Sequence, residues 1–210
     1  YGWDDFAQGG INERGLFFDA AVTPEQPRIK GYRNPRNNIG DEILARASTV
    51  EEALEILEKE KIALNKSHML FGDSTGQAVI VEWVGGERKL HWIEDNKLVM
   101  TNFLLSEPEA GNYPDFRYKS IIDRINELES GEQEINLNKI GNTVGLAVRP
   151  AREDENKRLG GTVYVSFIDV TENKFVLSYR LSNDDLVILD LEDEFAKSKR
   201  QTINFEKLFH

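Results

Sequence analysis

Apolar residues fall in short runs along most of this chain, and only two stretches repeat at helical spacing. Residues 15–22 read Gly-Leu-Phe-Phe-Asp-Ala-Ala-Val, a short apolar run that predicts a strand. The preceding Gly9-Gly10-Ile11-Asn12-Glu13-Arg14-Gly15 is rich in turn formers. Residues 24–38 hold three prolines and three asparagines, so a loop is expected there. Thr49-Val50-Glu51-Glu52 fits a capping box, with the Thr hydroxyl accepting from the backbone three residues on and Glu52 reaching back. Val50, Ala53, Leu54 and Leu57 then follow at i, i+3, i+4 and i+7, which predicts an amphipathic helix over 50–60.

A β-rich block comes next. Residues 68–73 and 77–83 flank the turn Ser74-Thr75-Gly76 and predict a hairpin. Two further strands, 89–93 and 98–103, are expected on either side of Glu94-Asp95-Asn96-Lys97. Phe116, Ile121, Ile122, Ile125 and Leu128 line one stripe of a second helix over 115–129. Residues 150–160 are charged and loop-like. A late hairpin follows, 162–169 and 174–181 around Thr171-Glu172-Asn173, with a final strand at 186–189. Antiparallel strands separated by helices point to an α+β protein rather than alternating βαβ units, read as a single domain over 1–210.

The net charge is −11, from 37 acidic and 26 basic residues, and the basic residues are dispersed. Phosphate backbones and anionic lipid repel such a surface, so neither nucleic acid nor a membrane is an expected partner. No run of about 18 apolar residues is present to span a bilayer. The sequence shows no signal peptide, and a cytoplasmic location is slightly favoured; any signal would lie before Tyr1. Cysteine is absent, which removes disulfides and thiol catalysis from the residues given. His68, His91 and His210 never fall at ligand spacing, which argues against a zinc site, and no cofactor is expected. No G-x-S-x-G elbow is present.

Four segments, in order, resemble the family of linear-amide hydrolases that includes choloylglycine (bile salt) hydrolases, penicillin V acylase and related acyl-transferases. Gly10-Ile11-Asn12-Glu13-Arg14-Gly15-Leu16 is like that family's G-x-N-E-x-G-L. Asp73-Ser74-Thr75-Gly76 running into Val79-Ile80-Val81-Glu82 is like D-x-T-G followed by an apolar strand ending in Glu. Met100-Thr101-Asn102-Phe103 resembles a T-N at a strand end, and Thr162-Val163-Tyr164-Val165 with Ile168-Asp169-Val170 resembles the late hairpin. Phe116-Arg117-Tyr118 opens a helix, as an Arg does in the family. The implied fold is the αββα sandwich of N-terminal-nucleophile hydrolases, two antiparallel sheets flanked by helices. Its N-terminal portion would be missing from this chain.

The resemblance implies amide hydrolysis through an acyl-enzyme, formed by a Cys at the mature N-terminus whose α-amino group acts as base. That Cys would lie before Tyr1. Asn102 would then donate to the oxyanion, and Arg117 would orient the nucleophile and favour its thiolate. Trp3 and Phe103 would border a small-molecule amide substrate. Asn12 and Glu13 are better explained as parts of a turn. In bile salt hydrolases a further oxyanion Asn follows G-x-N-E-x-G-L, and an ungapped alignment puts Val22 there. This departure points to a more distant branch. An acyl-transferase using the same acyl-enzyme, a non-catalytic binding relative and an unrelated α+β protein all stay open, as does self-association into a homo-oligomer. A chain lacking its first strands is expected to expose an apolar edge.

Overall fold

The structure, a computed structural model, describes residues 2–3, 6–111, 115–131, 135–150, 152–153, 155, 157, 159–162, 164–179, 186–199, 202–203 and 207. Its contacts divide into two compact units, Tyr1–Asp115 and Phe116–His210.

The first unit opens with a two-stranded antiparallel ribbon, β1 (Gly2–Trp3) with β2 (Phe6–Ala7). Its main sheet has five antiparallel strands in the order of the chain: β3 (Gly9–Ile11), β4 (Phe17–Val22), β5 (Ser67–Gly72), β6 (Ala78–Val84) and β7 (Glu87–Trp92). Helices α1 (Ile39–Arg46) and α2 (Val50–Lys59) lie between β4 and β5 in sequence and pack on the sheet. Leu16, Phe18, Ile43, Leu57, Phe71 and Val81 are central to the apolar cluster between them.

Close packing sets two glycine positions. A side chain at Gly40 of α1 would begin 2.0 Å from the ring of Phe18. At Gly72 of β5 it would begin 2.3 Å from the ring of Phe17, its register partner. Successive residues of a strand point to opposite faces, so β4 lays one ring on the helix side and the other on the far face.

The chemistry of α2 follows its sequence closely. Thr49 Oγ1 accepts from Glu52 N at 3.3 Å. Glu52 reaches back to the N–H of Ser48, at 2.6 Å, one residue before the cap. Asp73, in the D-x-T-G turn, accepts from Val50 N at 2.9 Å, so an orphan N–H of the helix's first turn is satisfied from 23 residues away.

Two expectations need correction, and one helix was not anticipated. Gly9–Ile11 is strand, not turn, because it pairs with Phe17–Asp19 of β4. Helix α1, which the sequence reading passed over, directly follows the 24–38 loop: Asn38 accepts from Gly40 N and Asp41 N and so caps it, while Ile39 and Ile43 face inward. Residues 98–103 form no strand. The turn before them is made, with Asp95 and Asn96 both at positive φ, but the returning limb pairs only through the Glu94–Lys97 bridge.

The second unit holds α3 (Phe116–Ser130), α4 (Leu137–Gly145) and a two-stranded ribbon of β8 (Arg152–Glu153) with β9 (Leu159–Gly160). Its three-stranded antiparallel sheet comprises β10 (Tyr164–Asp169), β11 (Lys174–Tyr179) and β12 (Leu186–Asp190), and α5 (Leu191–Phe195) follows. The late hairpin turns where expected, with Asp169 accepting from the backbone of Thr171 and Glu172 and Asn173 at positive φ. Among the described residues, no helix is long and apolar enough to cross a membrane.

Candidate active site

Strand β6 reads Ala-Val-Ile-Val-Glu-Trp-Val, and its single charged side chain, Glu82, is fully buried. A carboxylate in such a place must be hydrogen-bonded. The register supplies the partners. Met69 on β5 faces Val81 on β6, so His68 and Glu82, one step further along, meet on the same side of the sheet. His91 on β7 is diagonal to Glu82, because Glu82 pairs with Lys89.

His68 Nδ1 lies 3.0 Å from Glu82 Oε1, and Nε2 donates to the Thr101 carbonyl at 2.7 Å. A carbonyl and a carboxylate both only accept, so both ring nitrogens of His68 face acceptors. Glu82 also accepts from Leu105 N at 2.7 Å and Ser106 N at 2.9 Å. His91 Nε2 stands 3.2 Å from Glu82 Oε2 and 2.9 Å from Ser106 Oγ. Burial pushes the Glu82 carboxyl up, but the contacts with His68 and His91 and the two backbone N–H groups outweigh it and hold the group well below the usual carboxylate range.

This network grips the segment that carries Asn102. One N–H of its side-chain amide donates to the carbonyl of Val22 at 2.9 Å. Val22 ends β4 opposite Ser67 of β5 and is 70% exposed. The Asn102 amide and the Val22 position therefore meet at one end of the sheet. A cavity of about 340 Å³ borders the same end, lined by Ser67, Lys66, Glu25 and Arg28 among others.

The other candidates are placed as follows. Phe103 is buried, with 1% of its surface exposed. Trp3 is in β1, and its side chain lies outside the described residues. Arg117 is the second residue of α3 in the second unit, half-buried and engaged in an interaction. Asn12 is structural in its geometry. Its Nδ2 donates to the carbonyls of Leu44 and Ala47, both at 2.8 Å, and its Oδ1 accepts from Arg14 N and Leu16 N. The two Nδ2 bonds tie the β3–β4 turn to the end of α1, and the two Oδ1 bonds brace the turn itself. Glu13 is exposed. Among the described residues, no cluster of three or more His, Cys, Asp or Glu side chains could hold a metal ion.

Sequence reasoning passed over His68, Glu82, His91 and Ser106 as site-forming residues. The available signal was Glu82 itself, a charge inside an otherwise unbroken apolar strand.

Comparison with known proteins agrees with the resemblance. The chain matches solved structures of a mutant conjugated bile acid hydrolase from Clostridium perfringens with a TM-score of 0.70 and 16% identity, covering 95% of this chain and 77% of that one. Another variant of that enzyme gives 0.69 at 17% identity, over 94% and 79% of the two chains. Penicillin V acylase from Agrobacterium tumefaciens gives 0.67 at 18%, over 89% and 67%. These likenesses show the α+β fold of antiparallel sheets and helices that the sequence implied. None of the curated proteins matches the chain by sequence. The family model for acyl-coenzyme A:6-aminopenicillanic acid acyl-transferase matches residues 7–180, well over half of the chain, and the protein belongs to that family.

Proposed function

We propose that this protein cleaves or forms a linear amide C–N bond through an acyl-enzyme. The nucleophile would be a Cys at the mature N-terminus, outside the 210 residues given, which contain none. Asn102 is the oxyanion donor in this reading. The observation that carries it is the fixed placement of the Asn102 amide: its segment is tied to a buried network, and one N–H is tied to Val22 at 2.9 Å. A preorganised donor suits charge that develops only in the transition state, because it needs no reorganisation during reaction. Arg117 is the proposed positioning charge for the nucleophile, and Trp3 and Phe103 the proposed borders of the acyl pocket.

The bond broken is the amide C–N, and the amine leaves with a proton. The acyl group then passes to water in a hydrolase or to a second amine in a transferase. The family description favours transfer, and the structural relatives named hydrolase and acylase favour water. The test uses the full-length protein with penicillin V and choloylglycine as probe amides, with and without an added amine acceptor. Amide cleavage and a mass shift of one acyl group on an N-terminal Cys are expected. Asn102→Ala should lower kcat about 100-fold or more with little change in KM. A mature N-terminus without Cys, or full kcat in Asn102→Ala, would overturn the reading.

A further inference from the structure

We propose that His68 and Glu82 are positioning residues for Asn102, forming a buried clamp that sets where its amide points. This inference rests on the reading of Asn102 as the oxyanion donor and adds the device that aims it.

Residues 98–103 sit where a strand is expected but make no ladder with β7, so ordinary sheet hydrogen bonds do not fix them. The fixing comes from two side chains. His68 donates to the carbonyl of Thr101, one residue before Asn102. Glu82 accepts from the N–H groups of Leu105 and Ser106, three and four residues after it. Asn102 therefore lies between three anchored peptide groups, and its side chain makes a fourth tie to Val22. His68 and Glu82 are both fully buried and touch each other, so neither anchor moves independently of the sheet.

Burying a polar pair is not by itself a route to stability, since well-packed apolar residues often serve as well. Apolar side chains at 68 and 82 would continue the character of β5 and β6, but they would leave the carbonyl of Thr101 and the N–H groups of Leu105 and Ser106 without these partners. What the pair supplies is directional bonding to one irregular segment, and an oxyanion donor depends on direction. Displacement of a catalytic group by about 1 Å can cost on the order of 100-fold in rate.

The experiment compares Glu82→Gln, His91→Gln and Asn102→Ala in the full-length protein, using whichever of penicillin V or choloylglycine the parent cleaves. Circular dichroism and thermal melting report the fold, and hydrogen exchange reports the Leu105 and Ser106 amides. For Glu82→Gln we expect a folded protein, faster exchange at both amides, kcat lowered about tenfold or more, and KM within about twofold of the parent. His91→Gln, which removes only the half-exposed arm of the network, is expected to lower kcat about threefold with KM unchanged, and it decides the matter if Glu82→Gln does not fold. Parental kcat in the folded Glu82→Gln variant, or a loss that merely tracks the unfolded fraction, would overturn the clamp. So would parental kcat in His91→Gln where Glu82→Gln is unfolded. The Asn102→Ala arm separates the two readings. Loss of kcat there with none in Glu82→Gln removes the clamp alone, whereas full kcat there removes the donor assignment and the clamp with it.

Discussion

In the unit Tyr1–Asp115, helix α2 turns five of its ten residues inward, whereas in Phe116–His210 helix α3 runs for fifteen residues with none buried. The main apolar cluster, from Leu16 to Trp83, belongs wholly to the first unit. Of the ten large apolar residues left exposed among those described, eight lie in the second, Phe116 and Ile188 among them. Both units use the same kinds of element, so element content alone does not make a rigid scaffold. The depth of burial behind the elements does. Asn102 and its network are on the unit with the deeper core, where directional hydrogen bonds are held by close-packed neighbours.

The largest expected effect tests that contrast directly. Phe71→Ala, at a fully buried position of β5, should cost about 3–5 kcal/mol in denaturant unfolding. Ile188→Ala, at a position 62% exposed on β12, should stay within about 0.5 kcal/mol. Equal losses would show that the second unit has a core as demanding as the first. Asn12→Ala comes next, at roughly 1–3 kcal/mol, because it leaves the N–H groups of Arg14 and Leu16 without their acceptor, while Arg14 Nη2 still donates to the carbonyls of Leu44 and Ala47. The same denaturation curves read it, and a loss under about 0.5 kcal/mol would mean that water replaces those bonds.

Acid should act on the first unit through Glu82. Its carboxyl is held below its ordinary value of 4.5 in the folded state, so the stability it contributes is present above that pH. As pH falls below 4.5 the unfolded chain binds the proton first, and stability drops by up to about 1.4 kcal/mol per pH unit from this group. Glu82→Gln should flatten that part of the profile, and an unchanged slope would assign the acid sensitivity elsewhere. A small effect is expected at Thr101→Val. Among the described residues the Thr101 hydroxyl is buried and has no partner. Its loss should leave stability within about 1 kcal/mol or raise it, as melting temperature would report.

Much of the first unit was legible because its signals are local. The capping box of α2 and the glycine turn after Asp73 occupy a few consecutive residues, and both are seen where the sequence puts them. Residues 98–103 misled because an apolar run reads as a strand whether or not a neighbour pairs with it. Helix α1 was hidden by the prolines and asparagines before it, although Asn38 is its cap. For the candidate site, the proposal of Asn102 came from the short T-N pattern. Its holders were not legible there, because Glu82 meets Leu105 and Ser106 across 23 and 24 positions and His68 meets Thr101 across 33. No local pattern encodes those distances; the register of β5, β6 and β7 gathers His68, Glu82 and His91, and the irregular segment after Lys97 closes onto them.

The rings that β4 lays on Gly40 and Gly72 have an evolutionary consequence. Each pair is a ring fitted to the absence of a side chain, with under 3 Å to spare. Random mutagenesis should therefore find both glycines closed to every single change, even to alanine. Drift can open either position only if Phe18 or Phe17 first becomes smaller, and that step leaves a void. Through Phe18 and Gly40 the sheet and its helix layer are thus coupled as a lineage constraint. The glycines and phenylalanines should travel together through any family of descendants, and a library that varies them in pairs will reach sequences that one-at-a-time variation cannot.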